Sequence, residues 1–86
     1  KVVFVDDSRT MLMLAKVAAK PLIDANKIEI VQYDNPLKLI EDIETKNFSF
    51  DLLITDINMP QISGFDLVEV IKNFDFLDNA IFMALT

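Results

Sequence analysis

The sequence predicts an α/β protein, a parallel β-sheet doubly wound by helices on both faces. Three observations lead there. Along 86 residues, short apolar runs alternate with longer amphipathic stretches, in the order strand, helix, strand, helix, strand, helix, strand. Such a chain of βαβ units implies parallel strands with helical crossovers. The runs are continuous rather than alternating, as strands buried on both faces should be. Finally, two of them stop on aspartates, which gain nothing from burial and so belong at a strand end.

The elements follow in order. Val2 to Val5 is an apolar run of β-branched and aromatic residues and predicts the first strand. Ser8 suits a helix N-cap, because its hydroxyl can accept from a free backbone N–H. From Met11, apolar positions 11, 14, 15, 18 and 22 have helical spacing, with Arg9, Lys16 and Lys20 on the other face. Pro21 should end or kink that helix. "IEIVQY" (28–33) returns to strand character. Asn35-Pro36 opens a second helix, with proline where a missing N–H costs nothing, and Leu37, Ile40 and Ile43 form its inward stripe. Residues 51–55 predict the third strand. Gly64 precedes a third helix with Phe65, Leu67, Val68 and Ile71 at helical spacing, and "AIFMALT" (80–86) predicts a fourth, buried strand.

Composition narrows the function. An apolar share of 52% is ample for a core. A net charge of −6, with Arg9, Lys16, Lys20 and Lys27 spread out, argues against direct nucleic-acid binding. No apolar run approaches the roughly 20 residues of a membrane span, and no signal peptide is visible, so a cytoplasmic location is the expectation. With no cysteine or histidine in the chain, any metal site must be built from oxygen.

In sheets of this kind, ligands sit beyond the carboxyl ends of the strands. Asp6, Asp7, Asp56 and Thr86 all fall there and should share one edge. If the first and third strands are neighbours, their ends lie about 5 Å apart. Two unit charges at 4 Å repel by about 4 kcal/mol at an effective dielectric near 20, so three carboxylates call for a cation or a proton. Mg²⁺ is the natural choice, since it takes one or two carboxylates, keeps waters and binds beside phosphate. Singly, each residue has a plainer reading: Asp7 as a helix cap, Asp56 in an Asx turn, Thr86 as a good strand former.

The pattern "VDDS" at the end of strand one, "LLITDINMPQISG" around strand three and "ALT" at strand four resembles the receiver domain of two-component response regulators, the CheY-like family. The 30 residues from Asp56 to Thr86 are similar to that family's spacing between phosphoacceptor and switch hydroxyl. The resemblance implies a flavodoxin-like fold in which a sensor histidine kinase or histidine phosphotransfer protein phosphorylates Asp56. It implies that Asp7 binds Mg²⁺ directly and Asp6 through water. Asn58 would offer its carbonyl to the metal and its N–H to the phosphoryl group, which Thr86 would also contact. A carboxylate is a recognised phosphoryl acceptor, and such transfer needs positioning and charge neutralisation more than a protein base. Met59-Pro60 and Gly64 read as loop geometry, glycine relieving a backbone constraint.

The family carries a fifth strand, whose lysine pairs with the phosphoryl group, and two further helices. Their absence from residues 1–86 implies a C-terminally incomplete receiver domain, or a second copy that completes the sheet as a homodimer; the first is the expectation. An effector domain would lie outside the sequence given. The strand 80–86 should then be an exposed apolar edge. "PLIDANK" is a few residues longer than the family's connection. "TMLMLA" (10–15) reads first as core packing with gap-filling methionine, and otherwise as a docking surface for a phosphodonor helix. Two further readings stay open. One is a degenerate receiver-like binding module that is not phosphorylated. The other is a small aspartyl-phosphate phosphohydrolase of the haloacid-dehalogenase type, but those enzymes carry aspartates two apart, and here Ser8 and Asn58 hold those positions.

Overall fold

The computed structural model describes residues 1–85. Four parallel strands form one sheet in the order β2-β1-β3-β4, with β1 at Val2–Val5, β2 at Ile30–Tyr33, β3 at Leu52–Asp56 and β4 at Ile81–Leu85. The three helices are α1 (Arg9–Asp24), α2 (Pro36–Lys46) and α3 (Gly64–Ile71), and a 3₁₀ turn covers Asp75–Leu77. The element order is the one the apolar runs predict. β2 is two residues shorter than 28–33, because Ile28 and Glu29 still belong to the connection from α1.

Register fixes which side chains share a face. Val2, Leu52 and Ile81 are neighbours across β1, β3 and β4, as are Val3, Leu53 and Phe82. Because side chains alternate along a strand, Val3, Val5, Leu53 and Thr55 point to one face. There Leu39 and Ile43 of α2 and Leu67 and Ile71 of α3 close over them, and all these residues are fully buried. Tyr33 ties β2 to α2, its hydroxyl donating to Asp42 Oδ2 at 2.7 Å. Burial and that carboxylate together push the Tyr33 phenol well above its ordinary range.

On the opposite face Val2, Phe4, Leu52 and Ile54 meet Ala15, Ala18, Ala19 and Leu22 of α1 around an apolar groove. Here the structure corrects the helical phase. Leu12 is the buried anchor of α1, with Ala15, Ala19 and Ile23 half-buried, whereas Met11, Leu14 and Leu22 are exposed. The segment 11–15 is apolar on every side, so periodicity alone leaves its rotation open. It follows that "TMLMLA" is not mainly core: Met11, Met13 and Leu14 face outward. Similar shifts occur in α2, where Pro36, Leu39 and Ile43 are buried and Leu37 is exposed, and in α3, where Phe65 is exposed.

Helix ends follow local chemistry. Ser8 caps α1 by accepting from Met11 N–H, and Asn35 caps α2 by accepting from Leu37 N–H, with Pro36 at the first turn. Pro21 does not end α1, which continues to Asp24. The carbonyl it orphans belongs to Val17, an exposed residue, so the lost bond is open to water. The helix is closed off just beyond its Ala25 C-cap by Asn26, in the left-handed region at φ 58°. There Lys27 N–H reaches Leu22 O and Asn26 N–H reaches Ile23 O, a Schellman arrangement that accounts for the length of "PLIDANK". β4 is exposed rather than buried, with Ile81, Met83 and Leu85 open on the α1 side, as an apolar edge strand would be.

Candidate functional site

Two chain segments supply the acidic edge. Val5 pairs with Thr55 across β1 and β3, so Asp6 and Asp56 emerge side by side where both strands end. Asp7 follows as the chain turns into α1. One carboxylate oxygen from each of Asp6, Asp7 and Asp56 falls within 4.8 Å of the others. At that distance and an effective dielectric near 20, each ionised pair repels by about 3.5 kcal/mol.

Their surroundings differ. Asp6 is buried, its backbone N–H donating to Tyr33 O and its Oδ1 accepting from Ser8 N–H at 2.9 Å. Burial pushes its carboxyl above the usual carboxylate range, the Ser8 N–H pulls it down, and the charges of Asp56 and Asp7 push it up again. Asp56 is half-buried and Asp7 is exposed. Asp7 caps nothing; Ser8 performs that task. The donor set is all oxygen, partly solvated and in charge excess. It therefore suits a hard divalent cation such as Mg²⁺, which keeps several of its waters.

The loop after β3 is shaped by one contact. A Cβ on Gly64 would lie 2.3 Å from Asp56 O, closer than a side chain tolerates, and a tight 3.1 Å from Ile57 Cα. The requirement is for space, since the positive-φ residues are Asn26 and Asn47. Gly64 N–H also donates to Ile57 O at 2.8 Å. Met59 tucks into the core, and Asn58 and Pro60 remain exposed beside the acids. Ser63 caps α3 through Asp66 N–H. Thr86 lies outside the described residues; its predecessor Leu85 pairs with Asp56.

One residue of the edge escapes a reading by motif. Thr55 is fully buried, and its hydroxyl donates to Asp56 O at 2.9 Å. The signal was a single polar letter between Ile54 and Asp56 in an otherwise apolar run.

The chain and its fold match a known family. Residues 2–86 match the family model of the response regulator receiver domain, and the chain belongs to that family. Among solved structures, a CheY-like response regulator receiver domain protein from Methanospirillum hungatei JF-1 is 27% identical with a TM-score of 0.67, covering 99% of this chain and 63% of that one. An uncharacterized protein from Neptuniibacter caesariensis is also 27% identical, with a TM-score of 0.66 and coverage of 86% and 50%. A response regulator receiver protein from Pseudomonas putida shares the fold, with a TM-score of 0.71 at 24% identity and coverage of 96% and 65%. The chain thus spans about half to two-thirds of the length of these three. The comparison with curated proteins gave no significant match. No helix among the described residues is long and apolar enough to cross a membrane.

Proposed function

We propose that this receiver domain accepts a phosphoryl group on Asp56 from a phosphohistidine of a sensor histidine kinase or phosphotransfer protein in the cytoplasm. The observation that carries this reading is the convergence of three carboxylate oxygens within 4.8 Å at the carboxyl edge of the sheet. An Asp56 oxygen attacks phosphorus in line with the departing imidazole nitrogen. As the O–P bond forms the N–P bond breaks and its electron pair returns to the imidazole, which leaves as a neutral ring because its other nitrogen carries a proton. The product is an aspartyl phosphate.

Asp6, Asp7, Asp56 and the backbone carbonyl of Asn58 are the groups that would hold Mg²⁺. Bound there, the ion would neutralise charge on the acceptor and the phosphoryl oxygens. Asp6 supplies a carboxylate kept in place by Ser8 N–H, and Asp7 supplies an exposed one that a hydrated ion reaches readily. Asn58 N–H and Thr86 are the contacts for the transferred group. Thr86 would pass the phosphorylated state to an effector or a further phosphotransfer partner. Met11, Met13 and Leu14, exposed on the first turns of α1, offer the donor protein an apolar surface beside the acids.

Intact-mass spectrometry before and after incubation with acetyl phosphate and Mg²⁺ tests the reading. We expect a phosphoryl adduct on the parent and none on Asp56→Asn. An adduct that persists in Asp56→Asn would move the acceptor to another residue.

A further inference from the structure

The buried hydroxyl of Thr55 has work beyond strand packing. Thr55 sits between Val5 and Ala84 in the centre of the sheet, on its densely packed face. A valine would fill the same space in a strand with no polar group to satisfy. The hydroxyl instead donates to Asp56 O at 2.9 Å, in the first peptide unit that leaves the strand. The next peptide unit is held as well, since Gly64 N–H donates to Ile57 O at 2.8 Å. Two planar peptides held in succession leave few free dihedrals between Asp56 and Asn58 N–H. Gly64 closes the seat, because its missing Cβ is what lets α3 press against Asp56 O.

We propose that Thr55 is a positioning residue for phosphoryl transfer: its hydroxyl sets the Asp56–Ile57 peptide plane, and thereby the placement of the Asp56 carboxylate relative to Asn58 N–H. This rests on Asp56 being the acceptor. Rates of in-line transfer fall steeply when acceptor and oxyanion donor are misplaced, so a single hydroxyl at this peptide should register in the rate.

The experiment compares Thr55→Val, Thr55→Ser and Thr55→Ala with the parent. It reads the phosphorylation rate with acetyl phosphate at saturating Mg²⁺, the Mg²⁺ dissociation constant by calorimetry, and thermal melting. Thr55→Val should slow phosphorylation roughly 5-fold, the effect of one lost hydrogen bond. Thr55→Ser should stay within about twofold of the parent, and Mg²⁺ affinity should hold within about twofold in both. Should Thr55→Val fail to fold, Ser against Ala asks the same question, since those two differ only by the hydroxyl. A Val variant as fast as the parent, a Ser variant as slow as Val, or a rate loss matched by lost Mg²⁺ affinity would overturn the proposal. A parent that takes no phosphoryl group, or an Asp56→Asn variant that still takes one, would instead defeat the acceptor reading and the proposal with it.

Discussion

The two faces of the sheet are built to different standards. Under α2 and α3, Val3, Val5, Leu53 and Thr55 are fully buried against Leu39, Ile43, Leu67 and Ile71. Under α1, Val2, Leu52 and Ile54 are only half-covered, and Ile81, Met83 and Leu85 stand open. The acidic edge straddles this divide. Asp56 and its loop are clamped by the dense layer through Thr55, Met59 and Gly64. Asp6 and Asp7 lead instead into α1, held by a Ser8 cap and the single buried anchor Leu12. Asp56 therefore sits on the more densely packed half of the site, and Asp6 and Asp7 lead into the half that is less closely packed.

Substitutions can break that contrast, and the largest effect belongs to the dense face. Leu53→Ala should cost about 3 kcal/mol in urea unfolding, because the fully buried neighbours cannot collapse into the space. Gly64→Ala comes next, at roughly 2 kcal/mol, since its methyl meets backbone rather than a flexible side chain. An undiminished midpoint for Gly64→Ala would mean that α3 shifts without cost.

The acids come third. Mg²⁺ at ten times its dissociation constant should stabilise the parent by about 1.4 kcal/mol, and Asp6→Asn should weaken that response. The pH dependence of metal-free protein sharpens the point. Asp6 has a folded pKa raised above 3.8, so its stabilising contribution is complete below that value and is lost as pH rises through the folded pKa. Thermal melting in chelator should show Asp6→Asn gaining on the parent as pH rises from about 3 to 7. A constant difference across that range would remove the burial strain assigned to Asp6. Smallest of all, Met83→Lys should change stability by no more than about 0.5 kcal/mol, since half of Met83 already faces water. A loss matching that of Leu53→Ala would mean that the open face is covered in solution.

Much of this was legible before any coordinates. Continuous apolar runs mark the strands because parallel sheets bury both sides, and acids at the run ends mark the acidic edge because ionised groups resist burial. Asn35-Pro36 announced α2, since its N-cap and first-turn chemistry is local. Of the two effects expected of Pro21, an end to α1 does not occur, because that depends on whether the orphaned carbonyl reaches water, and that is a tertiary property. The rotation of α1 was hidden for a related reason: with apolar residues at 11 through 15, only the sheet beneath selects Leu12 as the anchor.

By itself, then, the sequence determined the alternation of elements, the acidic edge and the all-oxygen chemistry of that edge, because each depends on residue type and near neighbours. Tertiary structure alone decided that β1 lies between β2 and β3 and so brings Asp6 beside Asp56. It also decided that Asp6 is buried while Asp7 is not, and that Thr55 and Gly64 meet at the carbonyl of Asp56. Those outcomes depend on contacts between residues far apart in the chain, and no local pattern records which of them packing will select.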